Sequence, residues 1–185
     1  LMNKVLLNKI IELDRCPGTL SKGFTSYSST CLKKVFGNKK VSPFLNYQSP
    51  SSNEVSDELF DDNRRRISIS GVQEKFSVIQ EKNQLRLINE GEQGTHILKP
   101  IPNTGKNSDQ MPANEHLTMQ IASQIFGIET ADNALIFFKD GAPAYITKRF
   151  DVLPDGSKLA QEDFASLAQR TPQTHGEHYK YEGNY

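Results

Sequence analysis

From Ile67 onward the apolar residues of this chain fall into short runs cut by turn signals, and only one run has helical spacing. Ile67, Ile69, Phe76, Val78 and Ile79 read as β, Lys82-Asn83 as a turn, and Leu85 to Ile88 as a second strand, which makes a hairpin. Thr95 to Lys99 is a third strand, closed by Pro100 and Pro102, which cannot extend a ladder. Leu117, Ile121, Ala122 and Ile125 recur at helical spacing after Pro112 and stop at Gly127. Ala134 to Phe138 and Ala144 to Phe150, joined by Lys139-Asp140-Gly141, form a second hairpin. A Pro154-Asp155-Gly156 turn, a short helix around Gln161 to Gln169 and a break at Thr171-Pro172 follow. The order β-β-β-α-β-β predicts an α+β fold with a mainly antiparallel sheet and one main helix.

The first third is patterned differently. A helix from Ser28 to Phe36, ended by Gly37, follows a short apolar stretch and a Pro17-Gly18 turn. Residues 38–63 carry two prolines, five serines and the acidic run Asp57, Glu58, Asp61 and Asp62, and read as a linker or mobile arm. The expected organisation is therefore an N-terminal segment and linker over 1–63, a compact lobe over 64–151 and a connector over 152–185. With 22 basic and 22 acidic side chains the 185 residues sum to zero charge, which excludes a polybasic nucleic-acid binder. No window approaches the roughly 20 apolar residues that cross a bilayer, so a cytoplasmic protein with no membrane partner is expected. Cys16 and Cys31 cannot make a four-cysteine zinc site, and reduced thiols are the default.

Three places can carry chemistry. Ser68-Ile69-Ser70-Gly71-Val72-Gln73-Glu74-Lys75 sets a glycine and small hydroxyls at a bend that can aim backbone N–H groups at a phosphate, although with a single glycine an ordinary hairpin turn is the better account of the segment taken alone. Lys99, flanked by apolar residues at the end of the third strand, can reach phosphates under that bend or act as a snorkelling edge lysine. Glu115 can hold that lysine, as a helix glutamate does in a kinase small lobe, or serve as a favourable carboxylate near a helix N-terminus. The exit of the second hairpin, Lys148-Arg149-Phe150, can offer its backbone to a purine or be a surface strand.

In this order Ser70-Gly71-Val72-Gln73-Glu74-Lys75, Thr95-His96-Ile97-Leu98-Lys99-Pro100, Asn114-Glu115, Arg149-Phe150-Asp151, Gln161-Glu162-Asp163-Phe164 and Lys180-Tyr181-Glu182-Gly183 resemble the signatures of HipA-like serine/threonine kinases. These are the toxins of bacterial toxin–antitoxin modules. The chain looks most similar to the short HipT-type kinases, with the double serine Ser68-Ile69-Ser70 before the glycine. The resemblance implies a kinase N-lobe in which Ser70, Gly71, Val72, Gln73, Glu74 and Lys75 cover the nucleotide and Lys99 grips the ATP phosphates. Lys148, Arg149 and Phe150 would then touch adenine, and Ser68 and Ser70 would be autophosphorylated.

It further implies ATP and Mg²⁺ as cofactors, antitoxin partners of HipB or HipS type, DNA contact only through the antitoxin, and an aminoacyl-tRNA synthetase as protein substrate. Relatives often carry four zinc-like ligands where this chain has Leu13, Cys16, Ser28 and Cys31, so no metal is expected there. The aspartates that orient a substrate hydroxyl and hold Mg²⁺ come from a large helical lobe. The sequence stops at Tyr185, where that lobe would begin, so nucleotide binding without turnover is expected of this chain alone. A non-catalytic docking or antitoxin-contact module, marked by Arg64, Arg65 and Arg66, is the alternative. DNA binding through those arginines and Lys33, Lys34, Lys39 and Lys40 ranks last.

Overall fold

The computed structural model describes residues 12–50, 59–61, 73–103, 106–153, 155–176 and 179. Two compact units emerge, one ending at Arg149 and one beginning at Phe150.

The first unit is built on a five-stranded antiparallel sheet in the order β2-β1-β3-β5-β4. Strands β1 (Phe76–Glu81) and β2 (Gln84–Leu87) form the predicted hairpin, in which Glu81 pairs Gln84 and Lys82 takes φ 52° to make the turn. Strand β3 (His96–Pro100) lies between β1 and β5 (Pro143–Lys148), and β4 (Asn133–Phe137) closes the sheet. The β4–β5 turn needs a left-handed residue, which Gly141 supplies at φ 84°.

Alternation along the strands sends Phe76, Val78, Leu85, Leu87, Leu98, Ala134, Ile136, Ala144 and Ile146 into one core. Helix α1 (Ser29–Phe36) adds Cys31, Val35 and Phe36 to it. Ser28 caps α1 by accepting Cys31 N–H at 3.2 Å instead of forming its first residue, and Gly37 ends it in the left-handed region, as the sequence predicts.

The stretch expected to be a linker does something else where it is described. Pro43 O accepts Phe137 N–H, Leu45 N–H donates to Phe137 O, and Tyr47 O accepts Lys139 N–H, so residues 43–47 run along the open edge of β4. An uncovered edge strand leaves unpaired backbone groups, and this segment satisfies them. Val41 and Leu45 are buried, and Phe60, in a helical turn at residues 59–61, is fully buried with its ring 4.5 Å from that of Phe76. Three of the few apolar residues of this stretch, Val41, Leu45 and Phe60, go to the core, while Phe44 and Leu59 stay exposed.

Helix α2 (Met111–Gln124) packs on β4 and β5 through a polar face. His116 is buried and its Nδ1 lies 2.8 Å from Asn133 Oδ1, which also accepts Gln120 Nε2–H at 3.1 Å. The apolar series Leu117, Ile121 and Ile125 consequently faces outward, with Phe126 and Ile128 beside it. Periodicity located the helix but indicated the opposite face for burial. In the second unit, α3 (Phe164–Leu167) is capped by Asp163, and α4 (Pro172–His175) starts at the Thr171-Pro172 pair. The proline expected to break structure instead occupies a first-turn position, with Thr171 and Thr174 closing a capping box.

Candidate functional site

Strand alternation turns His96, Leu98 and Pro100 toward the core and leaves Lys99 on the opposite face. The β3–β5 register sets Lys99 against Tyr145, and the Lys99 ammonium lies 5.3 Å from the centre of the Tyr145 ring, within cation–π reach. Glu115, on the sheet-facing side of α2, accepts from Lys99 Nζ at 2.5 Å. Of the two roles open to Glu115, the ion pair is the one the geometry forms. Both side chains are about a quarter exposed, at 24% and 29%, so the pair contributes little stability, about 0.2–1 kcal/mol; its effect is to fix where the ammonium sits. Burial, reinforced by the Glu115 charge, pushes the Tyr145 phenol up, so it stays neutral beneath the lysine.

Beside the pair opens a groove of about 330 Å³, lined by Gln73, Met111, Asn114, Glu115, Thr118 and Met119. The Gln73 side-chain nitrogen is buried there without a hydrogen-bond partner. A buried amide donor without a partner costs about 1–3 kcal/mol, which a ligand acceptor would recover. Glu74 and Lys75 follow Gln73 into β1, both half-buried. Ser68, Ser70, Gly71 and Val72 lie outside the described residues.

The hairpin exit is arranged differently. Lys148 pairs with His96 and, three residues from Tyr145, points to the other face of the sheet from Lys99. Its N–H donates to Asp132 O, and Arg149 N–H donates to Thr95 O, so neither backbone donor remains for a ligand. Phe150 is 67% exposed and opens the second unit. Tyr145, Met111, Thr118 and Met119 were not anticipated as site residues; the β3–β5 register, legible once both strands were predicted, would have found Tyr145. Among the described residues, no three His, Cys, Asp or Glu side chains cluster to hold a metal.

Fold and site together define the class: an antiparallel α+β lobe in which a strand lysine is anchored by a helix glutamate beside a groove. Residues 67–185 match the HipA-like C-terminal domain, and the chain belongs to that family. Membership suggests a kinase in general. No curated protein matches the sequence.

Proposed function

We propose that this chain is the ATP-binding portion of a HipA/HipT-like serine/threonine kinase toxin that phosphorylates a cytosolic protein, an aminoacyl-tRNA synthetase being the substrate the family suggests. The observation that carries this reading is the Lys99–Glu115 pair beside the groove into which Gln73 is set. A lysine held by a carboxylate presents its charge at a fixed point, and phosphoryl transfer depends on such positioning. Lys99 would meet the phosphates, the segment from Ser70 to Lys75 would cover them, and Mg²⁺ ligands would come from a large helical lobe. Phosphorylation of Ser68 or Ser70 would add about −1.5 to −2 charges beside a triphosphate and weaken its binding by repulsion. Antitoxin partners of HipB or HipS type and a cytoplasmic location complete the proposal.

The test is titration of the chain with ATP followed by NMR and calorimetry. Shifts should concentrate at Gln73, Lys99 and Glu115, and Lys99→Ala should weaken binding at least tenfold, with Glu115→Gln weakening it less. Equal affinity for wild type and Lys99→Ala would overturn the assignment. No phosphate should be incorporated from labelled ATP·Mg²⁺ by this chain alone.

A docking or antitoxin-contact module is the second reading, favoured by the exposed Leu117, Ile121 and Ile125 series with Phe126 at 70% exposure. It predicts no nucleotide-dependent shifts and loss of partner binding on Ile121→Glu.

A further inference from the structure

Cys16 and Cys31 lie 15 positions apart in sequence but meet at Ser28 in the first unit, both buried, at 0% and 2% exposure. Cys16 sits under the turn formed by residues 16–21, where Leu20 N–H donates to Cys16 O and Cys16 N–H to Ser21 O. Its sulfur receives Ser28 N–H at 3.1 Å and Thr19 N–H at 3.4 Å, and Ser28 Oγ is 3.3 Å away. Ser28 also caps α1 by accepting Cys31 N–H, so the helix cap is wired to both cysteines. Gly18 leaves room for the pair, since a Cβ there would come within 2.1 Å of Cys31 Sγ. Backbone N–H groups converging on a sulfur are an environment for a thiolate, and a neighbouring thiol can share its proton.

We propose that Cys16 and Cys31 are a modification site, a dithiol that hydroperoxides convert into an intramolecular disulfide joining the turn at residues 16–21 to α1. The Cys31 thiol, then Ser28 and Thr19, hold the Cys16 thiol down to about 4 against the opposing effect of burial. Cys31 is pushed up by its hydrogen bond to Cys16 and by burial. The pair is therefore divided into a nucleophile and a proton-bearing partner. Cys16 sulfur attacks one peroxide oxygen; an S–O bond forms, the O–O bond breaks, and the departing hydroxide takes up a proton to leave as water. Cys31 sulfur then attacks the Cys16 sulfenic acid; the S–S bond forms, the S–O bond breaks, and the hydroxide leaves with the Cys31 proton as a second water. Two electrons pass from the two sulfurs to the peroxide. Burial restricts this chemistry to a small oxidant entering as the exposed turn opens, and excludes bulky alkylating reagents from the native protein.

The experiment exposes the native chain to millimolar hydrogen peroxide, removes it with catalase, denatures in N-ethylmaleimide and measures intact mass. The expected product is 2 Da lighter than the reduced protein, carries no maleimide, reverts with dithiothreitol, and yields a cross-linked peptide holding Cys16 and Cys31. The oxidised form should also melt several degrees higher, as closing a loop of about 15 residues predicts. Cys31→Ser should stop at a dimedone-reactive Cys16, and Cys16→Ser should leave Cys31 unoxidised. Two maleimide adducts after peroxide, sulfinic acid without a cross-link, or disulfide-linked dimers would overturn the proposal. Each is read on the wild-type chain, so it stands even if a variant fails to fold.

Discussion

Lowering the pH from 7 to 4 tests the joint between α1 and the strand that carries Lys99. His96 opens β3 at 2% exposure; its Nε2 lies 2.8 Å from Val35 O, and its Nδ1 lies 2.8 Å from Thr95 Oγ1. A carbonyl can only accept, so Nε2 carries the proton and Nδ1 accepts from the threonine hydroxyl. Burial holds this imidazole down to about 4, with smaller pushes from Lys148 and Lys39 and an opposing pull from Val35 O. The unfolded chain therefore binds the proton first as pH falls. Stability is full above about 6.5 and drains as pH drops from 6.5 through 4. A gap of about 2.5 units at ~1.4 kcal/mol per unit puts the His96 share at roughly 3 kcal/mol. His116, also lowered by burial, and the Cys16 thiol act in the same direction, so the measurement is a difference. His96→Gln keeps a donor for Val35 O and cannot titrate. Urea unfolding at half-unit pH steps, followed by circular dichroism because the chain has no Trp, should show the wild type losing about 3 kcal/mol more than the variant between pH 6.5 and 4. Parallel pH profiles for the two proteins would refute the reasoning.

Phe60→Ala should cost about 3–5 kcal/mol in urea unfolding, because it empties a site packed by the Phe76, Tyr47 and Phe138 rings; a cost under 1 kcal/mol would restore the linker reading. Gly18→Ala should lose about 1–3 kcal/mol, since its methyl would displace Cys31 Sγ. Ile121→Glu, on the outward face of α2, should change stability by less than about 0.5 kcal/mol, and a large loss would mean that this face is buried. Glu92 is held down to about 2 by its bidentate pair with Arg86, so Glu92→Gln should flatten the pH profile only below about 4.5, where the wild-type contribution fades.

Local chemistry determined much of this protein. The Lys82 and Gly141 turns, the Ser28 and Gly37 caps and the apolar runs of β1 to β5 are each specified by a few neighbouring residues, and all were legible as sequence. The order Gln73, Lys99, Glu115 was legible too, as a resemblance. Tertiary structure decided whatever depends on residues far apart in the chain. It turned Glu115 toward Lys99, because the polar contacts of His116 and Gln120 with Asn133 fix the rotation of α2, and so drove the apolar stripe outward against its own periodicity. It drew residues 43–47 onto the edge of β4, since an open ladder is satisfied by backbone groups of any sequence. It also brought Cys16 and Cys31 together around one serine. Periodicity reports which residues are apolar, but which face is buried is set by the partners that the fold supplies.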